Sequence, residues 1–115
     1  MPTSRFNVAL AAGAANNQVL DGSLYEVIRQ AGTMVIAAVC DTAAAANSQL
    51  ITVLIDSDTV MEESPVPSEV VAGTGPNLQD HVLVREEVVP GDKVTIRVRN
   101  SDVATRNTRI LYSVP

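Results

Sequence analysis

Apolar and polar residues alternate with a period of two along much of the chain. In Lys93–Arg99, valine and isoleucine occupy every second position, and lysine, threonine and arginine lie between them. This alternation is typical of a β-strand with one face buried and the other in water. The same pattern over Arg5–Leu10 predicts a further strand of this kind. Thr108–Val114 predicts the last strand, with Ile110, Tyr112 and Val114 on one face and Leu111 on the other.

Two other segments are apolar at almost every position. They are Thr33–Cys40 and Gln49–Asp56, and both are rich in β-branched residues. A short run of this composition favours a strand that is buried on both faces, so we expect Thr33–Cys40 to be central in its sheet. His81–Glu87 returns to alternation and predicts a strand with Val82 and Val84 inward.

Four segments have weaker patterns. Leu24–Arg29 fits either a strand or a helical turn, and Thr59–Glu62 predicts a short continuation of the preceding strand. Asp41–Asn47 contains four successive alanines, but seven residues are too few for an isolated helix, so we expect a loop or a single turn. Ser64–Asn77, with three prolines and two glycines, predicts the longest loop, and loops of this length tend to be functional or flexible.

Strong turn signals separate these segments, as at Asp21-Gly22 and Pro90-Gly91-Asp92. About eight short strands, with a turn roughly every ten residues, are typical of a sandwich or barrel. The sequence therefore predicts an all-β fold, an antiparallel β-sandwich of the jelly-roll or immunoglobulin-like kind. Its length of 115 residues predicts a single domain over residues 1–115.

The composition restricts the core and the partners. Hydrophobic residues make up 46% of the chain, yet it has no Trp, two Tyr and one Phe, so the core must use small and β-branched side chains. A net charge of −5 with a single lysine, Lys93, argues against a nucleic-acid partner. No segment has the apolar length of a membrane helix, and the polar start at Met1–Asn7 is unlike a signal peptide. We expect synthesis in a cytoplasm and no membrane partner.

Residues with catalytic or ligand chemistry are few. The chain has one histidine, His81, and one cysteine, Cys40, whereas zinc needs several such ligands and a nucleophile needs a base. Cys40 stands in an apolar run, which favours a buried hydrophobe. Asp56 and Asp58 supply oxygens of the kind calcium prefers, but their spacing is not that of an EF-hand loop, so a solvated turn is favoured. We expect no enzyme, no cofactor and no metal site.

A basic stripe on the outward side of Lys93–Arg99 is the best candidate for a contact surface. Arg97 and Arg99 carry it, and arginine suits fixed pairs with carboxylates. The predicted partners lie on a neighbouring subunit and are carboxylates: Glu62, Glu63, Glu86 and Glu87. The alternative is cross-strand pairing inside one sheet, with Arg97 opposite the strand that carries Arg85 and Glu87.

Three segments together resemble small virion proteins of bacterial viruses. They are Arg5–Ala11 (RFNVALA), Asp21–Glu26 (DGSLYE) and Val88–Asn100 (VVPGDKVTIRVRN). The resemblance implies a jelly-roll or immunoglobulin-like sandwich that acts as a capsid decoration, cement or minor capsid protein. It also implies capsid protein subunits as partners, a homo-oligomer that we expect to be a trimer, and a place on the capsid surface.

A β-sandwich adhesion or carbohydrate-binding module is the alternative function. Such a module needs exposed aromatic rings or a calcium platform to hold a sugar. Burial of both Tyr25 and Tyr112 would count against it.

Overall fold

The residues that the structure describes form eight β-strands in two antiparallel sheets. A computed structural model describes residues 3–44, 47–69, 75–76 and 81–115. The strands are β1 (Thr3–Leu10), β2 (Ala15–Asn16), β3 (Gly32–Cys40), β4 (Gln49–Ile55), β5 (Asp58–Pro65), β6 (Val82–Val88), β7 (Val94–Asn100) and β8 (Arg106–Ser113). The described residues contain no helix, and therefore no helix that could cross a membrane. The predicted all-β sandwich is confirmed.

The strand order is that of a jelly roll. Sheet A has the order β1-β8-β3-β6, and sheet B has the order β2-β7-β4-β5. The first strand therefore pairs with the last, the second with the seventh, the third with the sixth and the fourth with the fifth. A long antiparallel ribbon rolled on itself gives this connectivity. An immunoglobulin-like sandwich would keep its first two strands in one sheet, so the structure decides between the two predicted kinds.

β3 lies inside sheet A and is buried on both faces, as predicted. Each residue from Met34 to Cys40 is at most 3% exposed. Met34, Ile36 and Ala38 join the core between the sheets, together with Ile110 and Tyr112 of β8. The intervening β3 residues lie on the outer face of sheet A and are buried as well.

A partly buried ion pair closes part of that outer face. Arg109 of β8 donates through Nη1 to Glu69 Oε1 at 2.5 Å, and Glu69 Oε2 accepts the Gly75 N–H at 2.7 Å. The Glu69 side chain is only 1% exposed. The backbone of Cys40 also bonds Pro67 and Glu69. These bonds hold the segment after β5 against the outer face of sheet A.

Leu24–Arg29 is neither a strand nor a helix. The segment runs through turns, and a single bridge joins Val27 to Lys93. Its backbone bonds the β6–β7 turn instead, where Ile28 N–H donates to the Asp92 carbonyl at 2.8 Å. Its contact with β7 is limited to the first residue of that strand, where the Val94 N–H donates to the Glu26 carbonyl at 2.9 Å, so no strand forms.

The weaker predictions need correction in three places. β2 is a short strand that follows the segment Arg5–Leu10 and was not among those predicted, and β5 is a full edge strand rather than a short continuation at Thr59–Glu62. Val84 is buried as predicted, but a register shift places Val82 opposite Ala37 on the outer side of β3. Of Ser64–Asn77, positions 70–74 and 77 lie outside the described residues.

Candidate functional site

The outer face of sheet B carries a depression of about 250 Å³. Its lining comes from β4, β5 and β7, with β2 at the margin. We call this surface the sheet B face. The lining residues are Ala15, Asn17, Leu50, Thr52, Leu54, Thr59, Glu62, Glu63, Arg97, Val98 and Arg99.

Strand alternation places these side chains on one surface. The inward residues of β7 are buried, so the intervening Arg97 and Arg99 must face out. Antiparallel register then sets Arg97 opposite Thr52 and Arg99 opposite Leu50. Leu54 and the other outward residues of β4 are partly exposed and form an apolar floor under the arginines.

Arg99 is held by a glutamate of the same chain. Its Nε donates to Glu63 Oε2 at 2.9 Å, and its Nη2 lies 2.7 Å from the same oxygen. Both side chains are about half exposed, so the pair adds at most about 1 kcal/mol to stability. Its effect is to fix the direction of the guanidinium over the depression.

Glu63 occupies an unusual backbone conformation. Its φ is 43°, in the left-handed region that non-glycine residues rarely adopt, and the register of β5 against β4 shifts beside it. Its N–H donates to Thr52 Oγ1 at 3.0 Å, which pins this bulge to the neighbouring strand. The bulge turns the Glu63 carboxylate toward Arg99.

Arg97 has no ion-pair partner within the described ranges. It lies opposite Thr52, because its neighbours are β4 and β2. The predicted alternative, in which Arg97 lies opposite the strand of Arg85 and Glu87, is therefore wrong. That strand is β6, which belongs to the other sheet.

Glu86 and Glu87 lie away from the two arginines, on the edge of sheet A. Glu87 accepts a hydrogen bond from Thr33 Oγ1 at 2.6 Å. Glu86 is opposite the core residue Met34, yet it is exposed because β6 is the last strand of its sheet. The structure thus pairs Arg99 with Glu63, places Arg97 in the same depression, and separates both arginines from Glu86 and Glu87.

No family model, no curated protein and no solved structure matches this chain. The resemblance to capsid components therefore rests on the sequence segments alone. What the fold adds is the jelly-roll topology and the geometry of the sheet B face.

Asp56, one of the two aspartates considered for calcium, and His81 take part in structural hydrogen bonds. Asp56 Oδ1 accepts the Lys93 N–H at 3.0 Å, and the Asp56 N–H donates to the Lys93 carbonyl at 2.8 Å, so Asp56 ties the β4–β5 turn to β7. The His81 carbonyl accepts the Ala38 N–H at 3.2 Å. No group of three His, Cys, Asp or Glu suited to a metal is found in the part of the chain that the structure describes.

Cys40 is buried, as predicted, at the end of β3. Its Sγ donates to the Val66 carbonyl at 3.5 Å and lies 3.7 Å from Ser68 Oγ. Burial raises the pKa of the thiol above its ordinary value. A buried thiol of this kind is a poor nucleophile.

The aromatic residues are in or beside the core rather than on the sheet B face. Tyr112 is 1% exposed, and its hydroxyl donates to the Tyr25 carbonyl at 2.8 Å. Burial raises its pKa well above the ordinary value. Tyr25 and Phe6, the other two aromatic residues, are partly buried against the core. A ring for stacking on a sugar is thus missing from the sheet B face.

Sequence reasoning missed the floor of the site. Alternation along Gln49–Ile55 carries the signal, because it separates Leu50, Thr52 and Leu54 from the buried Ile51 and Val53. The conformation of Glu63 and its pairing with Arg99 have no such signal. They depend on a register shift between two strands that only the folded chain defines.

Proposed function

We propose that this chain is a structural virion protein, a capsid decoration, cement or minor capsid component that acts through subunit contacts on the capsid surface. The three virion-like segments support the class of protein. The jelly-roll topology supports it as well, since viral capsid domains are among those that use this fold. The sheet B face is the single observation that carries the contact role.

The two outer faces of the sandwich differ in a way that favours one contact surface. On sheet A, Val35, Ala37 and Val39 are already covered by the chain itself. On sheet B, the outward residues stay accessible, and the ladder of β4 and β7 holds them rigidly. A rigid face loses little conformational entropy when it binds a partner.

The chemistry of the sheet B face suits a protein partner. Arginine is enriched at protein interfaces, whereas lysine is depleted. Arg97 is exposed and can donate to a carboxylate of the partner, and Leu50 and Leu54 beside it provide apolar area. Against a chain of net charge −5, two arginines on one face fix the orientation of an approaching acidic surface.

A homo-oligomer follows if the predicted contacts join neighbouring copies. Arg97 and Arg99 lie on sheet B, and Glu86 and Glu87 lie on the edge of sheet A. Contact between these different surfaces is heterologous, and a heterologous contact closes a ring when the rotation fits. We propose a trimer of this kind on the shell.

The test is binding to capsids of the virus that encodes the chain, prepared without it. We expect the purified chain to sediment with these shells and Arg97→Glu to weaken the binding at least about tenfold, because a charge pair at an interface becomes a repulsion. Arg29→Glu is the matched control, since Arg29 is also exposed but lies in the turns after β2, away from both the sheet B face and the β6 edge. The proposal fails if the wild-type chain does not bind, or if both variants bind like it.

Carbohydrate binding is the second candidate. The depression offers hydroxyl, amide and carboxylate groups from Asn17, Thr52, Thr59 and Glu62, and lectin domains also use the jelly roll. All three aromatic residues of the chain lie in or against the core, so the sheet B face has no aromatic ring, and this weakens the candidate. Glycan-array binding that Thr52→Ala abolishes would establish it, and an empty array would remove it.

A further inference from the structure

The sheets have four edges, at β1 and β6 in sheet A and at β2 and β5 in sheet B. An edge strand presents backbone N–H and C=O groups to any other strand. Natural proteins block such edges with bulges, prolines, charges that point inward, or covering loops. The four edges of this domain differ in how far they are blocked.

β5 and β6 carry several of these devices. β5 has two register shifts against β4, three acidic residues and a proline at its end. β6 has a register shift and places Glu86 on the same side as the buried Val84 and Val88. Another strand that paired with β6 would bring Glu86 into an apolar interface.

The edge at β2 is covered by the chain itself. Beyond the two residues of β2, Gln18 takes the place of a strand: its Oε1 accepts the Ile96 N–H at 3.1 Å, and its Nε2 donates to the Val94 carbonyl at 3.1 Å. The Val19 N–H bonds the Ile96 carbonyl at 2.9 Å. The backbone groups of β7 on this side are therefore satisfied.

Among the residues that the structure describes, β1 has no bulge, proline or inward charge, although Gly75 and Pro76 line a depression together with Arg5, Phe6 and Asn7. Its register against β8 is continuous from Thr3 to Leu10, and the strand contains no proline or glycine. Arg5 is its only charged residue, and it lies on the outward side. No backbone hydrogen bond from another described residue reaches the outer edge of β1.

The hydrogen-bond pattern of sheet A shows which β1 residues face this edge. Ala38 and Cys40 of β3 donate their N–H groups away from β8, so the odd-numbered residues of β3 bond β8. These residues lie opposite the odd-numbered residues of β8, so the even-numbered residues of β8 bond β1 instead. Their partners in β1 are its even-numbered residues, such as Phe6. The outward groups of β1 belong to its odd-numbered residues: Thr3, Arg5, Asn7 and Ala9.

We propose that the outer edge of β1 pairs with β1 of a second copy, antiparallel about a twofold axis, and extends sheet A across a dimer. The register centred on Phe6 uses all four outward residues. It places Arg5 of one copy opposite Asn7 of the other, and Thr3 opposite Ala9. Strand addition at a sheet edge gains its affinity from such main-chain bonds.

Two features favour a second copy as the occupant. In this register Arg5 does not face its own equivalent, and β1 has no acidic residue, so the pairing sets no like charges directly opposite each other. Phe6, the only phenylalanine of the chain, is partly buried on the core-facing side. The two Phe6 rings meet at the non-hydrogen-bonded position, where cross-strand side chains are closest.

This contact is isologous and does not use the sheet B face, so it is independent of the proposed function. The experiment is the mass of the purified full chain by light scattering over a dilution series. We expect the mass of two chains at high concentration and of one chain on dilution. A mass of one chain throughout would overturn the proposal, as would a trimer that Asn7 variants leave intact.

Asn7→Pro is the decisive variant. It removes an outward N–H and leaves the bonds to β8 in place, since proline is tolerated on an edge where the N–H faces solvent. Asn7→Thr is the matched control, because threonine favours strands and keeps the N–H. We expect Asn7→Pro to be monomeric with an unchanged circular-dichroism spectrum, and Asn7→Thr and Arg97→Glu to dimerise. A dimeric Asn7→Pro would overturn the proposal.

Amide hydrogen exchange tests the same pairing on the wild-type chain, without a variant. The Arg5 and Asn7 amides should be protected at high concentration and exchange at least about tenfold faster on dilution, because only the dimer bonds them. The Phe6 amide should be protected at both concentrations. Equal exchange of Arg5 and Asn7 at both concentrations contradicts the pairing, even if another dimer forms.

Discussion

Replacing Asn100 with alanine should destabilise the domain more than any exposed substitution. Asn100 is fully buried at the end of β7. The two hydrogens of its Nδ2 are donated to three carbonyls, those of Leu10, Ala11 and Ala104 at 2.9, 3.2 and 3.0 Å, so one hydrogen is shared between two acceptors. One side chain thus ties the end of β1 and the β7–β8 loop to sheet B.

The acceptor side of Asn100 is equally occupied. Its Oδ1 accepts Gln49 Nε2 at 2.7 Å and the Asp102 N–H at 2.9 Å. Gln49 is fully buried and its own Oε1 already lacks a partner among the described residues, so it depends on this bond. Truncating Asn100 leaves several buried polar groups without partners.

The expected cost follows from these bonds. A typical bond contributes about 1 kcal/mol net, and each buried group left without a partner costs about 1–3 kcal/mol, so we expect a loss of about 3–5 kcal/mol. That is a large part of the roughly 5–15 kcal/mol by which a domain is stable. Since 1 kcal/mol shifts Tm by about 4 °C at this size, Tm should fall by about 12–20 °C.

Urea unfolding followed by circular dichroism measures this change. The midpoint should fall while the slope m stays constant. Asn17→Ala is the control, because Asn17 is exposed and its change should stay within about 0.5 kcal/mol. A loss below about 1 kcal/mol for Asn100→Ala would refute the reasoning, since it would mean that water satisfies the groups now assigned to Asn100.

Three further predictions concern single residues. Gly32 has φ 154°, and a Cβ there would lie 2.8 Å from Pro115 Cγ, so Gly32→Ala should cost about 1–3 kcal/mol in a thermal melt, and deleting Pro115 should recover part of it. If Gly32→Ala lost the same stability in a chain without Pro115, the steric cause would be contradicted. Burial raises the pKa of Tyr112 in the folded state. The neutral Tyr112 therefore contributes fully to the free energy of unfolding below the unfolded pKa of about 10, and this contribution is lost as the pH rises above that value. The stability of Tyr112→Phe should fall less at alkaline pH than that of the wild-type chain, and the same fall in both would exclude a contribution from Tyr112. Cys40 is buried with a raised thiol pKa, so a thiol reagent should modify it only at the rate of unfolding, and rapid modification of the native chain would contradict its burial.

The positions of several strands were predictable from local sequence. Alternation along Lys93–Arg99 and Thr108–Val114 located β7 and β8, and the apolar run of Thr33–Cys40 located the strand buried on both sides. These patterns identify strands because each records a strand's own environment. They do not record which strand lies beside it.

The features that were not predictable depend on pairing between distant segments. β2 is a strand only because Ala15 and Asn16 lie beside β7, and β5 loses its alternation where its register shifts. Arg97 was expected beside Arg85 in one alternative, but the roll of the chain puts β7 between β2 and β4. Arg99 meets Glu63 for the same reason, since the bulge that turns Glu63 exists only against β4.

Hydroxyl-radical footprinting of the chain, alone and bound to shells, tests most directly whether the sheet B face is the contact surface. Leu50 and Leu54 form its floor, whereas Leu24 is 70% exposed in the turns after β2 and serves as the internal reference. We predict that shell binding protects Leu50 and Leu54 and leaves the labelling of Leu24 unchanged. Unchanged labelling of Leu50 and Leu54 on shells that hold the chain would contradict the account.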